Sequence, residues 1–266
     1  MRFHDAHNHL HDEHFGGRQP EIIAACRAAG VVRMVVNGSC EEDWPQVAAL
    51  ARDHPDLVIP GFGYHPWYIQ ERTPRWRETL IGFLEKIPGA VIGEIGLDRW
   101  KPGLAYEGQE EVFLAQLELA AALNLPPSIH CLRAWGRMHD LLRSSPRPGR
   151  GFLLHSYGGP QEMVLPLSKL GAYFSFPGYY AHDQKERQRE TFRHVPYERL
   201  LIETDAPDQS LPEDLNAHPL EDSSTGKPLN HPANLPAVYR FVAGLVGEPL
   251  DVFAPRIEAN FQRLFV

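Results

Sequence analysis

Six residues in this chain are of the types that bind and use divalent cations: His7, His9, Glu94, His130, His155 and Asp205. His7 and His9 are one residue apart, and on an extended strand that spacing turns both rings to the same side. An isolated pair of this kind is a weak signal. Four imidazoles and two carboxylates converging on one point are a stronger one, because buried polar groups cost free energy unless they are paired. A fully paired polar network closing the end of a barrel is the plainer alternative. Six donors are too many for one tetrahedral ion with an open position. Two ions about 3.5–4 Å apart that share a carboxylate would use them all. Glu94 is the expected bridge, with His7, His9 and Asp205 on one ion and His130 and His155 on the other. Water held by such a pair loses a proton near neutrality and attacks an electrophile. Asp205 is the expected general base. Glu203, two residues earlier on the same strand, is a second candidate base or a carboxylate lining the barrel. Imidazole ligands suit Zn, Ni or Fe, while carboxylates and water also suit Mn or Mg.

These residues can meet only if the intervening chain carries them to one place. Short apolar runs recur at Phe3–Leu10, Val31–Gly38, Leu57–Gly63, Ala90–Gly96, Pro127–His130, Gly151–His155, Ala172–Phe176 and Leu200–Asp205. Segments of helical period follow them, for example Gln109–Leu123 and Gln184–His194. Strands alternating with helices imply βαβ units and a parallel sheet. Eight such units in 266 residues predict an α/β fold of the (β/α)8, TIM-barrel type, with residues 1–266 as one domain. In such a barrel the chemistry sits at the C-terminal ends of the strands, where the six candidate ligands fall. Residues 206–236 break the rhythm: they are rich in Pro, Asp, Asn and Ser and have neither period. A long loop after the last strand lies on the catalytic rim and could act as a lid.

Composition narrows the functional classes. A net charge of -8 argues against a protein that coats long nucleic acid, which needs clustered Lys and Arg to neutralise phosphates. It leaves room for an enzyme that takes one strand end into a metal site, since the metals bring positive charge. Cys26, Cys40 and Cys131 are too few and scattered for a disulfide framework. No run is long and apolar enough for a membrane span, and the start, from Met1 to Asp5, does not read as a secretory signal. A cytoplasmic protein with no membrane contact, no obligate protein partner and a monomeric state by default is the expectation. His4, His11, His14, His54, His139, His182, His194 and His218 show no partner pattern.

The motifs around these residues resemble those of the TatD family of metal-dependent hydrolases, within the amidohydrolase-like superfamily. DAHNHL from Asp5 to Leu10 is similar to the family's opening D-x-H-x-H-L. GFGYHP from Gly61 to Pro66 resembles its G-x-H-P, and IGEIGLD from Ile92 to Asp98 its I-G-E-x-G-L-D. SIH (Ser128–His130), LHSY (Leu154–Tyr157), ETDAP (Glu203–Pro207) and NHPAN (Asn230–Asn234) follow in the family's order, so the match runs from Asp5 to Asn234. The resemblance implies divalent metal and DNase activity, commonly 3′-to-5′ on single strands. Three positions depart from the pattern: Leu132 and Leu229 stand where the family usually has Arg, and Trp67 where it has a second His. Arg grips phosphate in a bidentate fork that Leu cannot imitate. Arg99, Arg133, Arg137 and Lys227 are possible substitutes, or solvated surface charges.

The expected substrate is therefore a DNA end or a small phosphodiester, with His65, Trp67, Arg99, Tyr157 and Asn230 as candidate contacts. Rim aromatics (Tyr64, Trp67, Trp100, Tyr157, Tyr179) could stack bases, line an apolar pocket, or pack under loops. A second reading is hydrolysis of a small amide, ester or lactone by the same activated water. Relatives with that chemistry often carry a carboxylated lysine on the fourth strand, where this chain has Glu94. A third is a catalytically silent metal-binding barrel.

Overall fold

The computed structural model describes all 266 residues. Eight parallel strands lie in chain order in one sheet: β1 Phe3–Asn8, β2 Val31–Asn37, β3 Val58–Phe62, β4 Val91–Asp98, β5 Pro127–Leu132, β6 Phe152–Leu154, β7 Ala172–Pro177 and β8 Leu200–Glu203. Each falls on one of the expected apolar runs. These runs are continuous rather than alternating because a parallel barrel is covered on both faces. The first and last strands meet at their C-terminal ends, where Asp205 N–H donates to His7 O at 2.9 Å and His9 N–H to Ala206 O at 2.7 Å. The Asp5 carboxylate stitches the same seam, accepting from Thr204 N–H at 3.0 Å and Thr204 Oγ at 2.6 Å. One apolar cluster of 71 buried residues runs through barrel and helices, so no second core exists.

The outer helices are α1 Gln19–Ala28, α2 Trp44–Asp53, α3 Trp76–Lys86, α4 Gln109–Leu123, α5 Trp135–Ser144, α6 Val164–Lys169, α7 Glu186–Phe192, α8 Leu235–Val246 and α9 Leu250–Phe265. Pro20, Pro45 and Pro236 stand in the first turns of α1, α2 and α8, where a missing N–H costs nothing and the fixed φ favours the helix. In α4 the inward residues Val112, Phe113, Gln116, Leu117 and Ala120 keep the three-and-four spacing of a helix face. Asn124 ends α4 in the left-handed region. The helix expected over Gln184–His194 is shorter, with a 3-10 turn at Asp183–Lys185 ahead of α7. No helix is long and apolar enough to cross a membrane.

The rim segment 206–236 differs from the structureless loop expected of it. It holds a 3-10 turn at Glu213–Leu215, an antiparallel hairpin of β9 Leu220–Glu221 with β10 Pro228–Leu229, and a second 3-10 turn at Pro232–Asn234; α8 begins at Leu235. Two-residue strands are too short to show a period of two. The hairpin turn is instead set by Asp222, whose Oδ1 accepts from Ser224 N–H at 2.7 Å and Thr225 N–H at 3.2 Å.

Candidate functional site

The barrel gathers the six candidate ligands and His65 at one end. His7, Glu94 and His130 stand on β1, β4 and β5, while His9, His155 and Asp205 lie just beyond their strands. The Glu94 carboxylate, 2% exposed, divides them. Its Oε2 lies 3.3 Å from His7 Nε2 and 3.2 Å from His9 Nε2. Those two nitrogens are 3.2 Å apart, and Asp205 Oδ1 is 3.5 and 3.7 Å from them. Bonds of about 2.0–2.1 Å to a tetrahedral ion set its donors about 3.3–3.4 Å apart, so this quartet has the dimensions of one ion's ligand cage. On the other side Glu94 Oε1 lies 2.7 Å from His155 Nε2, 3.1 Å from His130 Nδ1 and 3.3 Å from His65 Nε2. That oxygen is buried and accepts no hydrogen bond. A buried carboxylate oxygen that forms no hydrogen bond, ringed by imidazole nitrogens, fits a cation. His7, His9 and Glu94, and separately His65, Glu94 and His130, are close enough for each group to hold an ion, as are His7, His155 and Asp205.

Three of the four ligand rings are held from behind by the barrel, while His155 Nδ1 has no partner. His9 Nδ1 donates to Asn37 O at 2.7 Å, and His130 Nε2 donates to Asp98 Oδ2 at 3.1 Å. His7 Nδ1 lies 2.7 Å from Ser128 Oγ. Such partners fix tautomer and ring angle and make the facing nitrogen a better ligand. Asp98 sits an even number of residues after Glu94 on β4, and Ser128 two before His130 on β5. The period of two is the signal in the sequence that could have found both.

Electrostatics follow from crowding. Burial pushes the Glu94 carboxyl up, but His155, His65, His7 and His130 outweigh it and hold the group well below the carboxylate range. Burial opposes charge on His9 and His130 as well, yet their carboxylate neighbours lift them to about 10 and about 9. Burial lifts Asp205 to about 7. Without cations the cluster therefore gathers protons, and bound metal would displace them.

Several assignments change on the structure. Glu203, a candidate base, is completely buried: Oε1 accepts from Ser156 N–H at 2.7 Å, and Oε2 from the Ser175 hydroxyl. It braces the turn after β6, 3.9 Å from His155 Nδ1, and does not open to the mouth. Tyr157, a candidate contact, is fully buried between Trp135 and Phe174 with its hydroxyl on Pro160 O, because the left-handed Ser156 turns it beneath α5. Tyr64 is buried likewise, its hydroxyl on Glu41. Asn230 Nδ2 donates to Thr204 O at 2.7 Å and so pins the rim loop behind Asp205. His65 joins the Glu94 cluster rather than the rim. Trp67, half-buried, donates from Nε1 to Asp98 Oδ2 at 2.6 Å, and Lys101 Nζ covers its ring. Arg137 is committed to Glu110 at 2.6 and 2.9 Å, with Arg99 3.5 Å from the same carboxylate. Gln209, in the left-handed region, donates from Nε2 to Asp205 Oδ2 and to Ser156 Oγ. Nothing in its residue type pointed to that position.

Comparison with known proteins agrees with this arrangement. A family profile described as TatD related DNase matches residues 4–266. The 3′-5′ ssDNA/RNA exonuclease TatD of Pantoea ananatis is 31% identical over 252 residues, 94% of each chain. That of Escherichia fergusonii is 31% identical over 257 residues, 96% of each. Among solved structures, the TatD homologue YjjV from Escherichia coli superposes with a TM-score of 0.89 at 26% identity, covering 99% of this chain and 98% of that one. A lactonase from Listeria monocytogenes, at 12% identity and a TM-score of 0.61, shares the barrel alone. With a profile spanning nearly its whole length, this chain belongs to the TatD-related DNase family.

Proposed function

We propose that the protein is a two-metal phosphodiesterase acting on DNA ends. The carrying observation is Glu94, each of whose oxygens faces its own set of imidazoles. Its exonuclease relatives support the choice of substrate. His7, His9 and Asp205 would hold one ion, His130 and His155 the other, with Glu94 between them. A divalent pair bound there would lower the pKa of water and stabilise the charge of an in-line displacement. Asp205 supplies the proton acceptor: its Oδ1 faces His7 and His9, while Gln209 steadies Oδ2. Three buried, unpaired thiols fit a reducing, cytoplasmic setting.

The test is metal-reconstituted protein, its Asp205→Ala variant and its Glu203→Gln variant on 5′-labelled single-stranded DNA, an aryl phosphodiester and an aryl ester. Metal-dependent shortening of DNA is expected, falling about 10²–10⁴-fold in Asp205→Ala and far less in Glu203→Gln. Ester turnover with intact DNA would overturn the choice of substrate in favour of the amide, ester or lactone reading.

A further inference from the structure

His65 and His231 are each followed by proline, and their rings behave alike. Trp67 N–H donates to His65 Nδ1 at 3.2 Å, and Ala233 N–H donates to His231 Nδ1 at 3.0 Å. His231 is the N-cap of the 3-10 turn at Pro232–Asn234. Proline sets φ and brings no N–H, so in these two turns the first unsatisfied donor belongs to the next residue and reaches the side chain before the proline; His54–Pro55 and His218–Pro219 make no such bond, so the surrounding fold as well as the dipeptide sets it.

A nitrogen that accepts a hydrogen bond carries no proton, and in a neutral imidazole the proton then resides on the other nitrogen. For His65 that nitrogen is Nε2, which faces Glu94 Oε1 at 3.3 Å. His9 and His130 are set the opposite way. The Asn37 carbonyl can only accept, so His9 Nδ1 keeps its proton and Nε2 is the nitrogen that a bound cation would strip of one. Asp98 does the same for His130, leaving Nδ1 to face Glu94. Two rings turn to the centre the nitrogen that becomes a lone pair when a cation binds; His65 turns to it the nitrogen that keeps its hydrogen.

We propose that His65 is not a metal ligand but a neutral hydrogen-bond donor, locked as the Nε2–H tautomer by the Trp67 backbone and aimed at an oxygen in the metal centre. The oxygen it serves in turnover is a non-bridging phosphoryl oxygen of the substrate, a role that rests on the phosphodiesterase reading. The tautomer and the exclusion of His65 from the ligand set do not. The second ion is then left with Glu94, His130 and His155, three protein ligands and room for substrate, as catalytic sites require.

Long-range ¹H–¹⁵N correlation spectra of histidine-labelled protein, assigned with His65→Ala, should show His65 protonated at Nε2 in both the metal-free and the metal-loaded enzyme. Metal titration of His65→Ala and His65→Gln should give wild-type stoichiometry and affinities within about twofold. DNA turnover should fall about 100-fold in His65→Ala and recover in part in His65→Gln, whose amide restores a donor. An unprotonated Nε2 in the loaded enzyme, or loss of an ion from the variants, would overturn the proposal. Should the wild type leave DNA intact, the substrate reading fails alone, and the spectra and titration still decide for or against His65 as donor.

Discussion

Glu94 and Glu203 are both glutamates buried inside the same barrel, and their surroundings give them opposite work. Glu94 has imidazoles on both oxygens and an orphaned Oε1, so it is built to meet positive charge. Glu203 is saturated by Ser156 and Ser175 and lifted by burial to about 8, so it is built to hold a turn. A third buried group acts on stability rather than on chemistry. His4, beneath the site, packs on Phe261 with an unpartnered Nδ1, and burial pushes its pKa down to about 4. Its unfolded value is near 6.5, so between those limits the unfolded chain holds a proton that the folded chain lacks. Stability from this group is therefore present above pH 6.5 and lost as pH falls towards 4, by at most about 1.4 kcal/mol per pH unit. In urea unfolding from pH 7 to 4.5, His4→Phe should gain on the wild type as pH falls; parallel curves would show that His4 is uncoupled from folding.

The site depends on how closely β4 and β5 approach. Gly96 lies opposite His130 in the ladder, and a Cβ built on it would sit 2.0 Å from the His130 carbonyl oxygen. That oxygen is backbone and cannot yield as a side chain would. Gly96→Ala should therefore cost at least about 2 kcal/mol in denaturant unfolding and weaken metal binding, since His130 must move. A variant with wild-type stability would mean that the two strands have slack. Elements such as β4 were legible because a strand buried on both faces is an apolar run. The β9–β10 hairpin was not, since its two-residue strands are made by Asp222 and a turn rather than by pattern.

For the molecule as a whole, the closed barrel turns ligands scattered from residue 7 to residue 205 into one charged cluster. Apo protein keeps that cluster together by protonating imidazoles, so cations should stabilise the fold strongly. At a thousandfold excess over Kd, divalent metal should add about 4 kcal/mol, or about 10 °C in Tm, reversed by chelation. A Tm indifferent to chelator would mean that the cluster is satisfied without metal. The sequence by itself determined the eight strands, their parallel order and six of the side chains in the cluster, because apolar runs and strand-end residues are local properties of the chain. Only the tertiary structure decided that His65 lies against Glu94, that Glu203 and Tyr157 are sealed away from the mouth, and that Gln209 reaches Asp205. Those outcomes depend on the turns after each strand, where the left-handed Ser156, Asp205 and Gln209 redirect side chains in ways that period and composition do not record.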